Sequence, residues 1–172
     1  DETQRPMARK TAPTEIPTPA GRPATPDFPA PEVVSVHSHR IACEMSDVIS
    51  SVGPVSGSLM FRTCMPARPV SIYHLHGNAE PVVGYGGGGT GTFPKVPDMI
   101  ADCAKRDVCM GMTQQTYQKG AVTCDTYKTC ADSSDVTLCT IDQGKHTWPG
   151  AGDGTKDIAA TPTLLDFFLR HR

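Results

Sequence analysis

Two short stretches of the sequence contain residues that could act together as an acid–base pair. In "HGNAEPVV" Glu80 follows a glycine turn, and in "GKHTWPG" His146 lies two residues before the only tryptophan, Trp148. A carboxylate bound to one ring nitrogen of a histidine fixes its tautomer, so that the other nitrogen can take a proton from a nucleophile. The alternative is that His146 is a loop residue hydrogen-bonded beneath Trp148.

The predicted strands explain why Glu80 and His146 could lie close together. The stretch "RPVSIYHLHG", residues 68–77, is apolar almost throughout and ends at a glycine, as buried parallel strands do. A second strand is predicted at "DVTLCTIDQG", residues 135–144. Glu80 follows the first strand and His146 the second. Ligands of open α/β sheets bind beyond the carboxyl ends of the strands, so both side chains are expected at that edge.

Helix and strand patterns alternate along residues 37–172. The pattern predicts helices at 38–47, 96–109 and 161–172, and further strands at 48–57 and 121–130. This alternation predicts an α/β domain with a mostly parallel sheet and flanking helices. The glycine run "GYGGGGTGT" lacks the lysine and helix start of a phosphate-binding loop, and we expect it to be a surface loop.

The last predicted helix has a clear start in the sequence. Thr161 is a suitable N-cap, and Pro162 can occupy the first helical position. Its apolar residues are expected to form one core-facing side: Leu164, Leu165, Phe168 and Leu169.

Residues 1–36 differ in composition from the rest of the chain. Eight of the sixteen prolines lie in residues 1–31, without helical or strand periodicity. Such a segment buries too little apolar surface to offset its loss of entropy on ordering. We predict a disordered proline-rich segment that is either a linker or tail, or a proline-rich ligand for a partner.

The composition argues against two classes of partner. A formal net charge of −2 gives no electrostatic reason to expect binding to nucleic acid or to an anionic membrane. No apolar run approaches the roughly 18 to 20 residues that cross a bilayer.

The seven cysteines favour disulfides over zinc binding. Cys103 and Cys109 are six residues apart, as are Cys124 and Cys130, whereas structural zinc sites usually offer more closely spaced pairs. Disulfides indicate an extracellular or periplasmic location. Because the number is odd, at least one cysteine has no partner within the chain.

Three stretches together resemble the C-terminal part of the secreted polyhydroxybutyrate depolymerase and feruloyl esterase family: "RPVSIYHLHGNAEPVVGY", "VPDMIADCAKRDVC" and "VTCDTYKTCADSSDVTLCTIDQGKHTWPG". The resemblance extends from about His39 to Arg172. It implies an α/β-hydrolase fold and a serine esterase that cleaves polyester or feruloyl-polysaccharide esters through an acyl-enzyme. By this resemblance Glu80 corresponds to the triad acid and His146 to the base, and an acid before a final histidine is the α/β-hydrolase order.

The resemblance also implies roles for other residues. With the strand pattern, it suggests one free cysteine, Cys103, and three disulfides: Cys43–Cys64, Cys109–Cys130 and Cys124–Cys139. His74 and His76 alternate on one strand and could bind a metal, but the family has histidines here without a metal, so a structural or supporting role is favoured. Trp148 and His76 are candidate substrate-side residues. No metal or cofactor is expected.

The nucleophile that this resemblance requires is not found in the sequence. Gly-x-Ser-x-Gly occurs nowhere in the 172 residues, and counting back about eleven residues from Cys43 reaches Glu32. Ser35 and Ser38 lie nearby but lack flanking glycines, and Ser56 in "GPVSG" occupies the wrong place in the pattern. The expectation is a partial esterase domain at 37–172, as a truncated, frameshifted or misassembled gene would give, and inactive alone.

Three classes of function remain open. The first is a serine carboxylic ester hydrolase acting on an ester substrate. The second is a non-catalytic pseudoenzyme or fragment that binds ester or polysaccharide around Trp148, and the third is a metal-binding module using His74, His76 and cysteines. Self-association is also expected, because a sheet edge left open by missing strands can pair with another chain.

Overall fold

A computed structural model of the chain describes residues 37–60 and 63–172. The predicted disordered segment at 1–36 lies outside the described residues, together with Glu32 and Ser35. The described part of the chain has eight helices and strands: α1 His37–Glu44, β1 Ser51–Val52, β2 Ser71–Gly77, α2 Val96–Arg106, β3 Gln114–Lys119, β4 Val122–Tyr127, β5 Val136–Ile141 and α3 Ala160–Arg170. A short 3-10 turn, Ala131–Ser133, lies between β4 and β5.

The five strands form one mixed sheet in the order β1-β2-β5-β4-β3. β1, β2 and β5 run parallel, whereas β4 is antiparallel to β5 and β3 is antiparallel to β4. The α/β class is confirmed, but only half of the sheet is parallel. The connection between β4 and β5, residues 128–135, is too short for the crossover of a dozen or more residues that parallel neighbours need.

One strand is shorter than predicted, and another was not predicted. The predicted strand at 48–57 is regular only at Ser51–Val52, with a further isolated bridge between Val55 and Leu75. β3 was not predicted, because all of its residues but Tyr117 are exposed and it has no alternating apolar pattern. It is an edge strand, and its polar side chains are exposed.

Each face of the sheet carries an apolar cluster, because successive strand residues point to opposite sides. On one face, Ile72 and Val136 pack with the apolar side of α2, including Ile100. On the other face, Leu75 and Ile141 are in the cluster that contains Leu164 of α3. The sheet is therefore covered by α2 on one side and by α3 on the other.

The predicted apolar side of the last helix was right at Leu164 and wrong at its other three residues. α3 buries Ala160, Leu164 and Phe167, and the Phe167 ring lies 5.3 Å from that of Tyr73 on β2. Three of its apolar side chains are instead exposed: Leu165, Phe168 and Leu169. The periodicity allows both faces, and the contact with β2 selects the one containing Phe167.

The start of α3 also differs from the prediction. The helix begins at Ala160, and its N-cap is Ala159, which makes no capping hydrogen bond through its side chain. The hydroxyl of Thr161 instead accepts a hydrogen bond from the indole N–H of Trp148, at 3.1 Å. Tertiary contact with the Trp148 loop therefore takes the oxygen that the sequence pattern assigns to capping.

Three disulfides link elements of the domain, and Cys103 is a free, buried thiol on α2. The pairings are those that the family resemblance and the strand pattern imply: Cys43–Cys64, Cys109–Cys130 and Cys124–Cys139. Cys124 and Cys139 stand directly opposite each other on β4 and β5. Three disulfides are consistent with an extracellular setting. Among residues 37–60 and 63–172, no helix has the length and apolar character needed to cross a bilayer.

Candidate active site

Two turns at the carboxyl edge of the parallel strands are held against each other. One follows β2 at Gly77 and the other follows β5, and the N–H of Ala79 donates to the carbonyl of Gly144 at 3.0 Å. A Cβ atom placed on Gly77 would overlap the Gly144 carbonyl group. Glycine at position 77 is therefore needed for this close approach, which brings the segments carrying Glu80 and His146 together.

Glu80 is held by hydrogen bonds to both of its carboxylate oxygens. Its Oε1 accepts the backbone N–H of Val82 at 2.8 Å and that of Val83 at 3.3 Å. Its Oε2 lies 2.9 Å from Nδ1 of His146, and the Glu80 side chain is fully buried. The local turn therefore orients the carboxylate before it contacts the histidine.

His146 contacts Glu80 through one ring nitrogen, and its side chain is partly exposed. Because the Glu80 carboxylate accepts at Nδ1, the neutral ring carries its proton there, and Nε2 has a free lone pair. The His146 side chain is 47% exposed, and no described residue hydrogen-bonds to Nε2. The arrangement can take a proton from a group placed at Nε2 and stabilise the resulting imidazolium ion.

No described serine is hydrogen-bonded to His146. Ser38 lies in α1, and Ser56 follows β1 with a positive φ of 50°. The Ser56 hydroxyl is buried and has no hydrogen-bond partner. Residues 37–60 and 63–172 thus contain a base and its orienting acid, but no serine bonded to that base.

The two candidate substrate-side residues are placed differently. Trp148 is 46% exposed, and its indole N–H is held by Thr161. His76 is fully buried, so the structure does not support a substrate-side position for it. Its ring nitrogens bond to protein groups, since Nδ1 lies 2.9 Å from His74 Nε2 and Nε2 lies 2.8 Å from the carbonyl of Val83.

Three buried histidines form a hydrogen-bonded chain beside the site. His39 Nε2 lies 2.9 Å from His74 Nδ1, and His74 in turn contacts His76. Burial lowers the pKa of all three rings, that of His39 to about 3. The alternation of His74 and His76 could be seen in the sequence, whereas the contact with His39 depends on how α1 packs on the sheet.

The described residues contain no group of three or more histidine, cysteine, aspartate or glutamate side chains placed to bind a metal ion. In the histidine chain the facing nitrogens are hydrogen-bonded to one another, so they do not converge on a common point. The geometry gives no support to the metal-binding alternative for His74 and His76.

Comparison with known proteins relates the chain to an esterase. No protein-family profile matches the sequence. The chain is 30% identical over 129 residues to feruloyl esterase B of Piromyces equi, an alignment that covers 68% of this chain and 23% of that protein. The chain thus matches less than a quarter of this relative's length. With the α/β fold, the similarity supports an esterase-like relationship.

Proposed function

We propose that Glu80 and His146 are the acid and the base of a serine ester hydrolase active site of the polyhydroxybutyrate depolymerase and feruloyl esterase kind. The supporting observation is the 2.9 Å contact between Glu80 Oε2 and His146 Nδ1. Glu80 is buried and oriented by its own turn, while the His146 side chain is 47% exposed and no described residue hydrogen-bonds to its Nε2. A surface histidine needs no such support unless one tautomer matters.

In this proposal His146 acts at two steps. Its Nε2 takes the proton of a serine hydroxyl as that oxygen attacks the ester carbonyl, and Glu80 stabilises the imidazolium ion that forms. The proton then passes to the departing alcohol, leaving an acyl-enzyme that water hydrolyses by the same route. The serine and the oxyanion donors are supplied by polypeptide other than the described residues.

The proposed substrate is a carboxylic ester with a flat or apolar acyl group, such as a feruloyl ester. Trp148 lies two residues from the base and is half exposed, with its indole held in place by Thr161. A fixed aromatic ring next to the base is suited to stacking on a planar acyl group or a sugar ring. The three disulfides support action outside the cell.

A chimera tests the proposal directly. The stretch of this chain that aligns with feruloyl esterase B replaces the corresponding segment of that protein, and release of ferulic acid from methyl ferulate is measured. We expect hydrolysis that His146→Ala lowers by about three orders of magnitude or more. Lys145→Ala is the matched control, because Lys145 is an exposed charged neighbour in the same loop. A folded, active chimera in which both variants behave alike would contradict the proposal.

The exposure of Trp148 also favours a second candidate, ester or polysaccharide binding without catalysis. As Trp148 is the only tryptophan in the chain, its fluorescence reports on a ligand bound at this site. Saturable quenching by a feruloylated oligosaccharide, unchanged by His146→Ala, together with a folded but inactive chimera, would favour this candidate.

A further inference from the structure

We propose that His39, His74 and His76 are positioning residues that hold the Glu80 turn in place and so fix the tautomer of His146. The inference rests on the proposed function, because it assigns these residues a role toward the same acid–base pair. None of the three rings reaches the surface, where a substrate would bind: they are 1%, 0% and 0% exposed. Their effect on the site therefore passes through other residues.

The direction of the hydrogen bonds in the histidine chain follows from its last acceptor, the carbonyl of Val83. The carbonyl of Val83 can only accept, so His76 carries its proton on Nε2 and leaves Nδ1 as an acceptor. His74 must then donate from Nε2 to His76, and His39 from Nε2 to His74. His74 and His76 are therefore neutral, since each accepts at Nδ1, and burial keeps His39 neutral by lowering its pKa to about 3. The tautomer of His76 thus fixes that of His74, and the acceptor on His74 requires Nε2–H on His39.

The histidine chain is connected to Glu80 through a single residue, Val83. The carbonyl of Val83 accepts from His76 at 2.8 Å, and its N–H donates to Glu80 Oε1 at 3.3 Å. Val83 is itself 2% exposed, so water is not at hand to replace the histidine as a donor. If the bond from His76 is lost, the buried carbonyl must move or remain unpaired, and the turn that orients Glu80 is released.

The same connection ties the site to α1. His39 lies in α1, His74 and His76 lie in β2, and Glu80 and Val83 lie in the turn that follows. Buried and fully paired polar chains of this kind specify one arrangement, since any partial disruption leaves an unsatisfied group. The packing of α1 on the sheet is thereby linked to the orientation of the Glu80 carboxylate.

Nitrogen-15 NMR of the histidine rings in the 172-residue chain tests the inference without measuring activity. In the wild-type chain we expect neutral Nε2–H rings for His39, His74 and His76, and an Nδ1–H ring for His146. A wild-type His76 protonated on Nδ1 would overturn the positioning role. A His146 ring held mainly as Nε2–H would overturn the proposed function itself, and the positioning role with it.

Two variants at position 76 separate positioning from packing. His76→Gln places an amide N–H where Nε2 lies and keeps the donor to Val83, whereas His76→Asn keeps a polar atom near Nδ1 and loses that donor. We expect His76→Asn to lower the ratio of Nδ1–H to Nε2–H tautomer at His146 about tenfold, the size of effect expected for one buried hydrogen bond. His76→Gln should stay within about twofold of wild type.

Equal behaviour of the two variants at His146, whether both shift or neither does, would overturn the positioning role while leaving the Glu80–His146 pair intact. If His76→Asn does not fold, the wild-type tautomers and the scalar couplings across the His39–His74 and His74–His76 hydrogen bonds decide. Couplings in the predicted direction support the histidine chain and its positioning role, and the absence of these couplings overturns that role.

Discussion

The parallel and antiparallel halves of the sheet are held together by different interactions. In the parallel half, neutral histidine rings are linked through the backbone of Val83 to a buried carboxylate, and these hydrogen bonds end at His146. In the antiparallel half, β4 and β5 are crosslinked by Cys124–Cys139. Hydroxyl groups add a ladder of 2.8 and 2.9 Å contacts there, formed by Thr116, Thr126 and Thr137.

The two sets of interactions have different roles. The hydrogen bonds of the parallel half orient side chains, whereas the disulfide and hydroxyl contacts of the antiparallel half stabilise the fold. A chain of neutral imidazoles sets the direction of each hydrogen bond, but protonation of His74 or His76 breaks it, because a donor would then face a donor. A disulfide and hydroxyl contacts do not respond to pH in this way. We therefore expect acid to disturb the half that carries the histidine chain, and removal of the Cys124–Cys139 disulfide to destabilise the antiparallel half.

The largest expected effect is acid destabilisation of the parallel half. The folded-state pKa values of His39, His74 and His76 lie below the ordinary 6.5, so below that pH the unfolded chain binds protons that the folded chain does not. Each ring contributes stability that is present above pH 6.5 and is lost as pH falls toward its folded pKa, at up to about 1.4 kcal/mol per pH unit.

One buried carboxyl group opposes this trend. Burial raises the pKa of Asp107 to about 6, so its contribution to stability increases as pH falls from 7 toward 4. With this offset we expect a net loss of up to about 4 kcal/mol between pH 7 and 5, measured by urea unfolding. Asp107→Asn should make the loss steeper by about 1 kcal/mol. A flat stability profile over this range would contradict neutral buried rings.

The disulfide of the antiparallel half should have the next largest effect. Replacing both Cys124 and Cys139 by Ala opens a loop with a sequence separation of 15, and the free energy of unfolding should fall by about 3 kcal/mol. The His146 tautomer should not change, since the histidine chain does not include these strands. Loss of the Nδ1–H signal of His146 in this variant would show that the orientation of His146 depends on the Cys124–Cys139 disulfide, which would contradict the comparison.

A smaller effect of opposite sign is expected at Ser56 in the parallel half. Its φ of 50° is unfavourable for serine, and its buried hydroxyl has no partner. Ser56→Gly should raise the free energy of unfolding by about 1 kcal/mol. Ser58→Gly is the control, because Ser58 is also buried but its hydroxyl contacts Met99, and this change should be destabilising. Destabilisation by Ser56→Gly would mean that its hydroxyl is bonded.

The smallest expected effect is on activity of the chain alone. The 172-residue chain should release nitrophenol from a short-chain ester no faster than its His146→Ala variant, because no described serine contacts the base. Turnover well above the variant, blocked by a serine-directed phosphonate, would identify a nucleophile in this chain, with Ser35 and Ser38 as the first candidates.

The sequence predicted those elements whose apolar pattern matches the burial they require. β2 and β5 are buried on both faces, and α2 has one strongly apolar side, so all three were predicted close to their observed positions. β3 is polar and exposed and carries no such pattern. The buried side of α3 could not be predicted, because its exposed residues are also apolar.

The site could be predicted only in part. Glu80 and His146 each follow a strand, and parallel neighbours end at one edge of a sheet, so their proximity could be expected. The disulfide pairings came from the family resemblance together with the strand pattern, because spacing alone left them open. The sequence left His76 with two possible positions, structural or substrate-side, since it does not tell whether a strand histidine near a turn faces solvent or a buried neighbour such as His74.

The effect of Glu80 on turnover in the feruloyl esterase chimera tests the central claim most directly. Glu80→Gln keeps the shape of the side chain but can offer an amide N–H to His146, which removes the preference for the Nδ1–H tautomer. If Glu80 orients the catalytic base, kcat for methyl ferulate should fall by roughly three to four orders of magnitude in the folded chimera. A kcat within about tenfold of the unmodified chimera would contradict the assignment of Glu80 and His146 as a catalytic pair.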